Sequence, residues 1–245
     1  MANSNLALRK SLLCFSLSFV ILAPYIHSGL KANVLEVGES DPGNELIQVV
    51  GNDTDLWHSH QRLATMDAVH RRGLPHRGAA VLVVNRQLEV LLLKRSPDMK
   101  TCPGTWSTLG EHSHPGESYE ATALRGLAEE INVEGSTQLH EVWNTSIYEH
   151  LEFADGRIDN VWLKWYYCQI SPNTTKLSSE SSSSAFIPLK GMRSFLTKLP
   201  KGKLCKSVVN FEVRLLAGDA LQSSRHMSYE DHLVLTMDRV YSLLT

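Results

Sequence analysis

Apolar residues along this chain fall either in near-continuous runs or at helical spacing, and the two patterns predict different elements. Gly78 to Asn85 (Gly-Ala-Ala-Val-Leu-Val-Val-Asn) is almost continuously apolar, which predicts a strand buried on both faces. Asn85-Arg86-Gln87 turns the chain, and Glu89 to Arg95 (Glu-Val-Leu-Leu-Leu-Lys-Arg) is the partner strand. His140 to Leu151 predicts a further strand. Asp155-Gly156 is the strongest hairpin signal present. The returning strand is Arg157 to Ile170, rich in aromatic and β-branched residues. Ala185 to Leu189 predicts a short strand and Gly191 to Leu199 a helix. A last helix is expected from Tyr229 to Leu244, where Leu233, Met237, Val240 and Leu244 keep helical spacing. Strands, one long helix, more strands and a closing helix argue for an α+β architecture with a mixed sheet.

The first apolar run is of another kind. Arg9 and Lys10 precede Leu12 to Ile26, a stretch without a polar face and too short to span a membrane comfortably. Residues 1–32 therefore read as a secretory signal peptide, or as an uncleaved signal-anchor. Sequons at Asn52, Asn144 and Asn173 agree with that route and with a glycoprotein. Residues 33–55 are polar with scattered Gly and Asp, and a poorly ordered linker is expected there. Residues 201–245 are expected to form a C-terminal helical extension. The 42% hydrophobic content of this 245-residue chain is enough for one core, and a net charge of −2 gives no pull toward nucleic-acid polymers. Beyond Cys14, only Cys102, Cys168 and Cys205 remain, which form neither a disulfide framework nor a zinc motif.

Residues 110–133 carry the chemistry. A Gly/Pro/His-rich loop runs into a helix whose start is marked by Ser118, able to accept from a first-turn N–H, and by Glu120, which suits the helix dipole. Ala121, Leu124, Ala128 and Ile131 make the expected apolar stripe. Arg125 and Glu129 are four apart and can pair. Positions 126, 129 and 130 share a helical face.

This stretch resembles the Nudix box, G-x5-E-x7-R-E-U-x-E-E-x-G-U with U aliphatic, through Glu117, Arg125, Leu127, Glu129, Glu130 and Val133. Three positions depart: Glu111 stands where the first Gly belongs, with Gly110 before it; Asn132 replaces the late Gly; and Gly126 replaces the Glu after the Arg. The resemblance implies a Nudix-type α/β/α sandwich, with the domain at residues 56–200, and a loop-helix site for Mg²⁺, with Mn²⁺ as a substitute. Hydrolysing a diphosphate requires neutralised oxygen charge and a positioned water, which a hard cation on carboxylates provides. By the resemblance, Glu129, Glu130, the Gly110 carbonyl and His112 hold the metal, Glu129 and Glu130 are the catalytic carboxylates, and Glu117 braces the loop against Arg125. The carboxylate missing at 126 must come from Glu111, Glu149, Glu152 or Asp159. A Glu restored at 126 is expected to strengthen the metal response.

Residues outside the box are similar to the isopentenyl diphosphate isomerase branch. His76-Arg77, Lys94-Arg95-Ser96, Lys100, Pro103-Gly104 and Trp106 follow its order. In that branch histidines join acidic groups around a metal. His76 and His112 match them, and His70 lies near a third. Lys94, Arg95, Lys100 and His76 are candidates for binding substrate. The isomerases' loop cysteine is replaced by Gly110, and their acidic pair is reduced to Asp159-Asn160. The expected function is therefore hydrolysis of a small nucleoside- or isoprenoid-type diphosphate, with membrane contact only through the N-terminal segment. A binding module without turnover and an isomerase are the alternatives.

Overall fold

The computed structural model describes residues 45–51, 62–99, 102–133, 137–171, 176–199, 203–205, 208–217, 220–226 and 228–245. The N-terminal run expected to be a targeting signal and the sequons at Asn52 and Asn173 lie outside the described residues. In chain order the elements are β1 (Leu46–Val49), β2 (Arg62–Thr65), α1 (Met66–Arg72), β3 (His76–Val84), β4 (Glu89–Arg95), β5 (Trp106–Ser107), β6 (Leu109–His112) and α2 (Tyr119–Ile131). They continue as β7 (His140–Glu141), β8 (Ile147–Phe153), β9 (Ile158–Gln169), β10 (Ser181–Pro188), α3 (Met192–Leu196), β11 (Val208–Ala217), β12 (Ala220–His226) and α4 (Tyr229–Leu244).

Local chemistry sets most of these boundaries. Thr65 caps α1 by accepting from the Ala68 N–H at 3.3 Å, and Gly73 ends the helix in the left-handed region at φ 59°. Ser118 caps α2 by accepting from the Ala121 N–H at 3.1 Å. Asn132 ends α2 at φ 54°, a conformation its short polar side chain tolerates. The β8–β9 turn uses Gly156 at φ 85°, while the Asp155 carboxylate accepts from the Arg157 N–H at 3.1 Å.

The main sheet has the strand order β10-β4-β3-β9-β8-β11-β12, with β5, β6 and β7 pairing at the sides of β4, β3 and β9. It is mixed. β3 and β9 run parallel from His76↔Val161 to Val84↔Gln169, and the other pairs are antiparallel. All nine residues of β3 are buried, because helices cover both faces of the sheet. Ala79, Val81 and Val83 pack in one cluster with Ala123, Leu127 and Ile131 of α2. Ala80, Leu82 and Val84 pack in the other with Trp165 and with Leu233, Met237 and Val240 of α4. The fold is an α+β sandwich with helices on either side of a mixed sheet.

Four local expectations change. The buried face of α2 is Thr122, Ala123, Gly126, Leu127 and Ile131, so the stripe is rotated relative to Ala121, Leu124 and Ala128. Gly126 allows this rotation, since without a side chain the helix seats closely against β6. Within the expected linker, Leu46–Val49 is a strand paired with β2, and Ile47 is fully buried beside Ala64, Ala68 and Val69. The C-terminal extension is not helical alone, because β11 joins β8 in the main sheet and β12 follows it before α4 begins. The stretch from His140 to Leu151 splits into β7 and β8, which pair with different parts of β9.

Candidate active site

Arg125 holds the loop-helix together. Its Nε and Nη2 donate to the two Glu117 oxygens at 3.0 Å each, and Nη2 also donates to the His112 carbonyl at 2.6 Å. Nη1 meets Glu129 at 3.2 Å and Glu111 at 3.3 Å. Glu117 accepts further from the His114 N–H at 2.9 Å and the Thr122 hydroxyl at 3.0 Å. Burial alone would raise the Glu117 carboxyl, but these hydrogen bonds outweigh it and hold it down at about 2. β1 braces the same loop, because the Gln48 side chain accepts from the Gly116 N–H at 3.0 Å.

Of the box carboxylates, Glu130 is half-buried on a cavity wall with Gly110, Glu111 and His112. Burial, then the negative charges of Glu111 and Glu180, push its carboxyl up to about 8 against the opposing pull of Arg95 and the Gly110 N–H. Glu111 is pushed up to about 7, mainly by burial, with Arg125 and the His112 N–H opposing. Glu129 stands apart. Its side chain is 57% exposed, is turned to Arg125, and does not line the cavity. Gly126 faces Glu111: a Cβ there would lie 3.0 Å from the Glu111 Cβ and 3.2 Å from a Leu109 methyl. The expected benefit of a Glu at 126 is therefore opposed by a tight contact, from which Glu111 and Leu109 must give by a few tenths of an ångström, and the box spacing does not reveal it.

A second donor set lies beside the first. His70, His76, His112 and Asp159 offer ligand atoms that all lie within 4.8 Å of one another. The rings of His76 and His112 stack at 5.0 Å between centroids, and His70 meets them edge-on at 5.7 and 5.3 Å. His76 Nδ1 bonds the Leu74 carbonyl at 3.0 Å, which can only accept, so in the neutral ring Nε2 keeps its lone pair. That Nε2 is 3.4 Å from Asp159 Oδ1, and His70 Nε2 is 3.8 Å from it. Three imidazoles and a carboxylate converging in a largely buried site are a donor set for a divalent transition metal. Long-range pairing assembles it. β6 sets His112 against Gly78 in register, β9 sets Val161 beside His76, and the Asn160 amide donates to the Gly73 carbonyl at 2.7 Å, fixing the end of α1 near His70.

The cavity holds about 150 Å³, roughly ten times what a single water needs. Its lining is mixed: His70, His112, Asp159, Glu111, Glu130 and Arg95 contribute charged or titratable groups, and Phe153, Val161, Leu163, Trp165 and Tyr229 contribute apolar side chains. Among the candidate substrate residues, Arg95 lines the cavity and Lys94 does not, as alternation along a strand requires of neighbours. His76 belongs to the histidine cluster, and Lys100 lies outside the described residues. Glu149 is fully buried and bonded by Trp165 Nε1 at 3.1 Å and His232 Nε2 at 3.2 Å, while Glu152 pairs with His150; neither lines the cavity. Cys102, Cys205 and Arg157 do line it. No motif spacing marks these three or the apolar side chains, because Cys102 lies in the loop ahead of the box and the others come from β8, β9, the turn between them and segments far beyond the box.

The NUDIX domain family model matches residues 74–203, just over half of the 245 residues. The isopentenyl-diphosphate Delta-isomerase of Paenarthrobacter aurescens (strain TC1) is 37% identical over 70 residues, which are 28% of this chain and 38% of that protein. The match thus spans well under half the length of that relative. Among solved structures, DR0079 from Deinococcus radiodurans is similar in fold at 17% identity and a TM-score of 0.50, covering 66% of this chain and 93% of that one. The NUDIX domain of Shewanella oneidensis NrtR, solved with ADP ribose, is 20% identical, with a TM-score of 0.44 over 69% of this chain and 88% of that one.

Proposed function

The chain belongs to the Nudix family, and on that premise we propose that it is a divalent-metal-dependent hydrolase of an isoprenoid-type diphosphate. The observation behind the substrate is the mixed lining of the cavity. Its charged groups suit a diphosphate, and the apolar side chains of Phe153, Leu163, Trp165 and Tyr229 suit a hydrocarbon tail better than a polar nucleoside.

His70, His76, His112, Asp159 and the carboxylates of Glu130 and Glu111 would hold the metal. Glu129, paired with Arg125, is assigned to shaping the helix end beside it. Bound there, Mg²⁺ or Mn²⁺ supplies charge neutralisation for the diphosphate oxygens and a fixed place for the attacking water. The imidazoles make the set softer than an all-oxygen Mg²⁺ site, so Mn²⁺ is expected to bind at least as well as Mg²⁺. Arg95 offers a guanidinium to a phosphate oxygen. A wall carboxylate takes the proton as water attacks phosphorus. The bridging P–O bond breaks, leaving inorganic phosphate and the prenyl monophosphate.

The test is a panel of isopentenyl, geranyl and adenosine diphosphates with Mg²⁺, Mn²⁺ or EDTA, reading phosphate release. Prenyl diphosphates are expected to turn over in either metal, with kcat/KM at least about tenfold above ADP, and EDTA should abolish release. A preference for ADP would overturn the substrate assignment. Absence of release from every diphosphate would favour the binding module. Isomerisation is supported as a second reading by Cys102 lining the cavity, although its thiol donates to the Cys205 carbonyl and Gly110 stands at the isomerases' cysteine position. Dimethylallyl diphosphate appearing from the isopentenyl compound, in place of phosphate, would establish that reading.

A further inference from the structure

We propose that Glu111 performs the task of the carboxylate missing at position 126, the loop and the helix having exchanged a Gly and a Glu across their contact. The box has Gly in the loop and Glu on the helix; here Glu111 is in the loop and Gly126 on the helix. The two positions face each other. A Cβ built on Gly126 lies 3.0 Å from the Glu111 Cβ and 3.4 Å from its Cγ, so the Glu111 side chain occupies the volume into which a residue at 126 would project. The pair is complementary, because a side chain at 126 would press on Glu111 and force it to give by a few tenths of an ångström, whereas a glycine at 111 would leave that space open.

Glu111 is also aimed for the purpose. It lines the cavity together with Glu130 and His112. Its Oε1 accepts from the His112 N–H at 2.9 Å and meets Arg125 Nη1 at 3.3 Å, which fixes the carboxylate. Its Oε2 has no hydrogen bond or ion pair among the described residues. Glu149 and Glu152, two other carboxylates near the hairpin, are committed to Trp165, His232 and His150 and lie outside the cavity lining. The chemical class addressed is the divalent cation and water of diphosphate hydrolysis, so the inference rests on the hydrolase reading. The measurements below separate the two.

The experiment compares the full chain with Glu111→Gly, Gly126→Glu, the double exchange, and the isosteric Glu111→Gln. Thermal melts are recorded in EDTA, Mn²⁺ affinity by calorimetry, and phosphate release with the prenyl panel. Gly126→Glu alone overpacks the contact and is expected to melt about 5 °C lower in EDTA. Glu111→Gly and Glu111→Gln are expected to lose about tenfold or more in Mn²⁺ affinity, with Glu111→Gln melting in EDTA no lower than the parent. The double exchange should recover both the melt and the Mn²⁺ affinity to within about threefold of the parent. A double exchange that binds Mn²⁺ no better than Glu111→Gly, or a Glu111→Gln that binds like the parent, overturns the proposal. Recovery of affinity in a protein that hydrolyses nothing would uphold the exchange while removing the hydrolase reading.

Discussion

Glu117 shows at the residue scale how one side chain couples the site to stability. Its carboxyl is held at about 2, although burial alone would raise it, because Arg125, His114 and Thr122 bond the charged form. A carboxyl depressed in the folded state contributes stability that is fully present above the unfolded value near 4.5 and is lost as pH falls toward 2. Glu117→Gln removes the charge and keeps the shape. It is expected to cost about 1.5–3 kcal/mol at pH 7, the range for hydrogen bonds to charged groups. The difference between parent and variant should narrow as pH is lowered from about 5 to about 2.5. Urea melts across that range provide the check, and a pH-independent difference would count against Arg125 as the cause.

β1 supports both the fold and the site. This short strand, in a stretch that reads as linker, covers α1 through Ile47 and braces the box loop through Gln48. α1 in turn carries His70. Losing the burial of Ile47 costs about 1.5–3 kcal/mol. A chain that begins at residue 52 is therefore expected to melt about 3–10 °C below one that begins at residue 33, and to bind Mn²⁺ several-fold more weakly. Differential scanning calorimetry and Mn²⁺ titration on the two chains test this. Equal affinities would show that His70 is not part of the metal site.

A ligand that binds only the folded state stabilises it by RT ln(1 + [L]/Kd), about 2.7 kcal/mol at a hundredfold excess over Kd. Mn²⁺ at that excess should raise the melting midpoint by about 5–10 °C over EDTA, and replacing His76 and Asp159 together by Ala should remove most of the rise. Residues 1–32 are expected to be an address separate from the sandwich. A chain starting at residue 33 should stay soluble and melt cooperatively, as read by light scattering and circular dichroism, whereas precipitation or a gradual melt would make the run part of the fold.

Elements whose causes lie within a turn or two of their own residues were legible in the sequence. The strand Glu89–Arg95, the helix Tyr229–Leu244, the cap at Ser118 and the turn at Asp155-Gly156 all have the predicted bounds or chemistry. Caps, periodicity and turn residues act over a few positions, so local sequence determines them. The Arg125–Glu117 and Arg125–Glu129 pairs follow from box and helical spacing in the same way. Tertiary structure decided what depends on register between distant segments. The parallel pairing of β3 with β9 carries His76 to Asp159, and the cavity's apolar side chains are gathered from β8, β9 and α4. The close seating of α2 on β6 turns Gly126 from a missing carboxylate into room for Glu111. Periodicity shows which faces are apolar but not which faces meet, because strand pairing and helix seating are selected by the burial of the whole core.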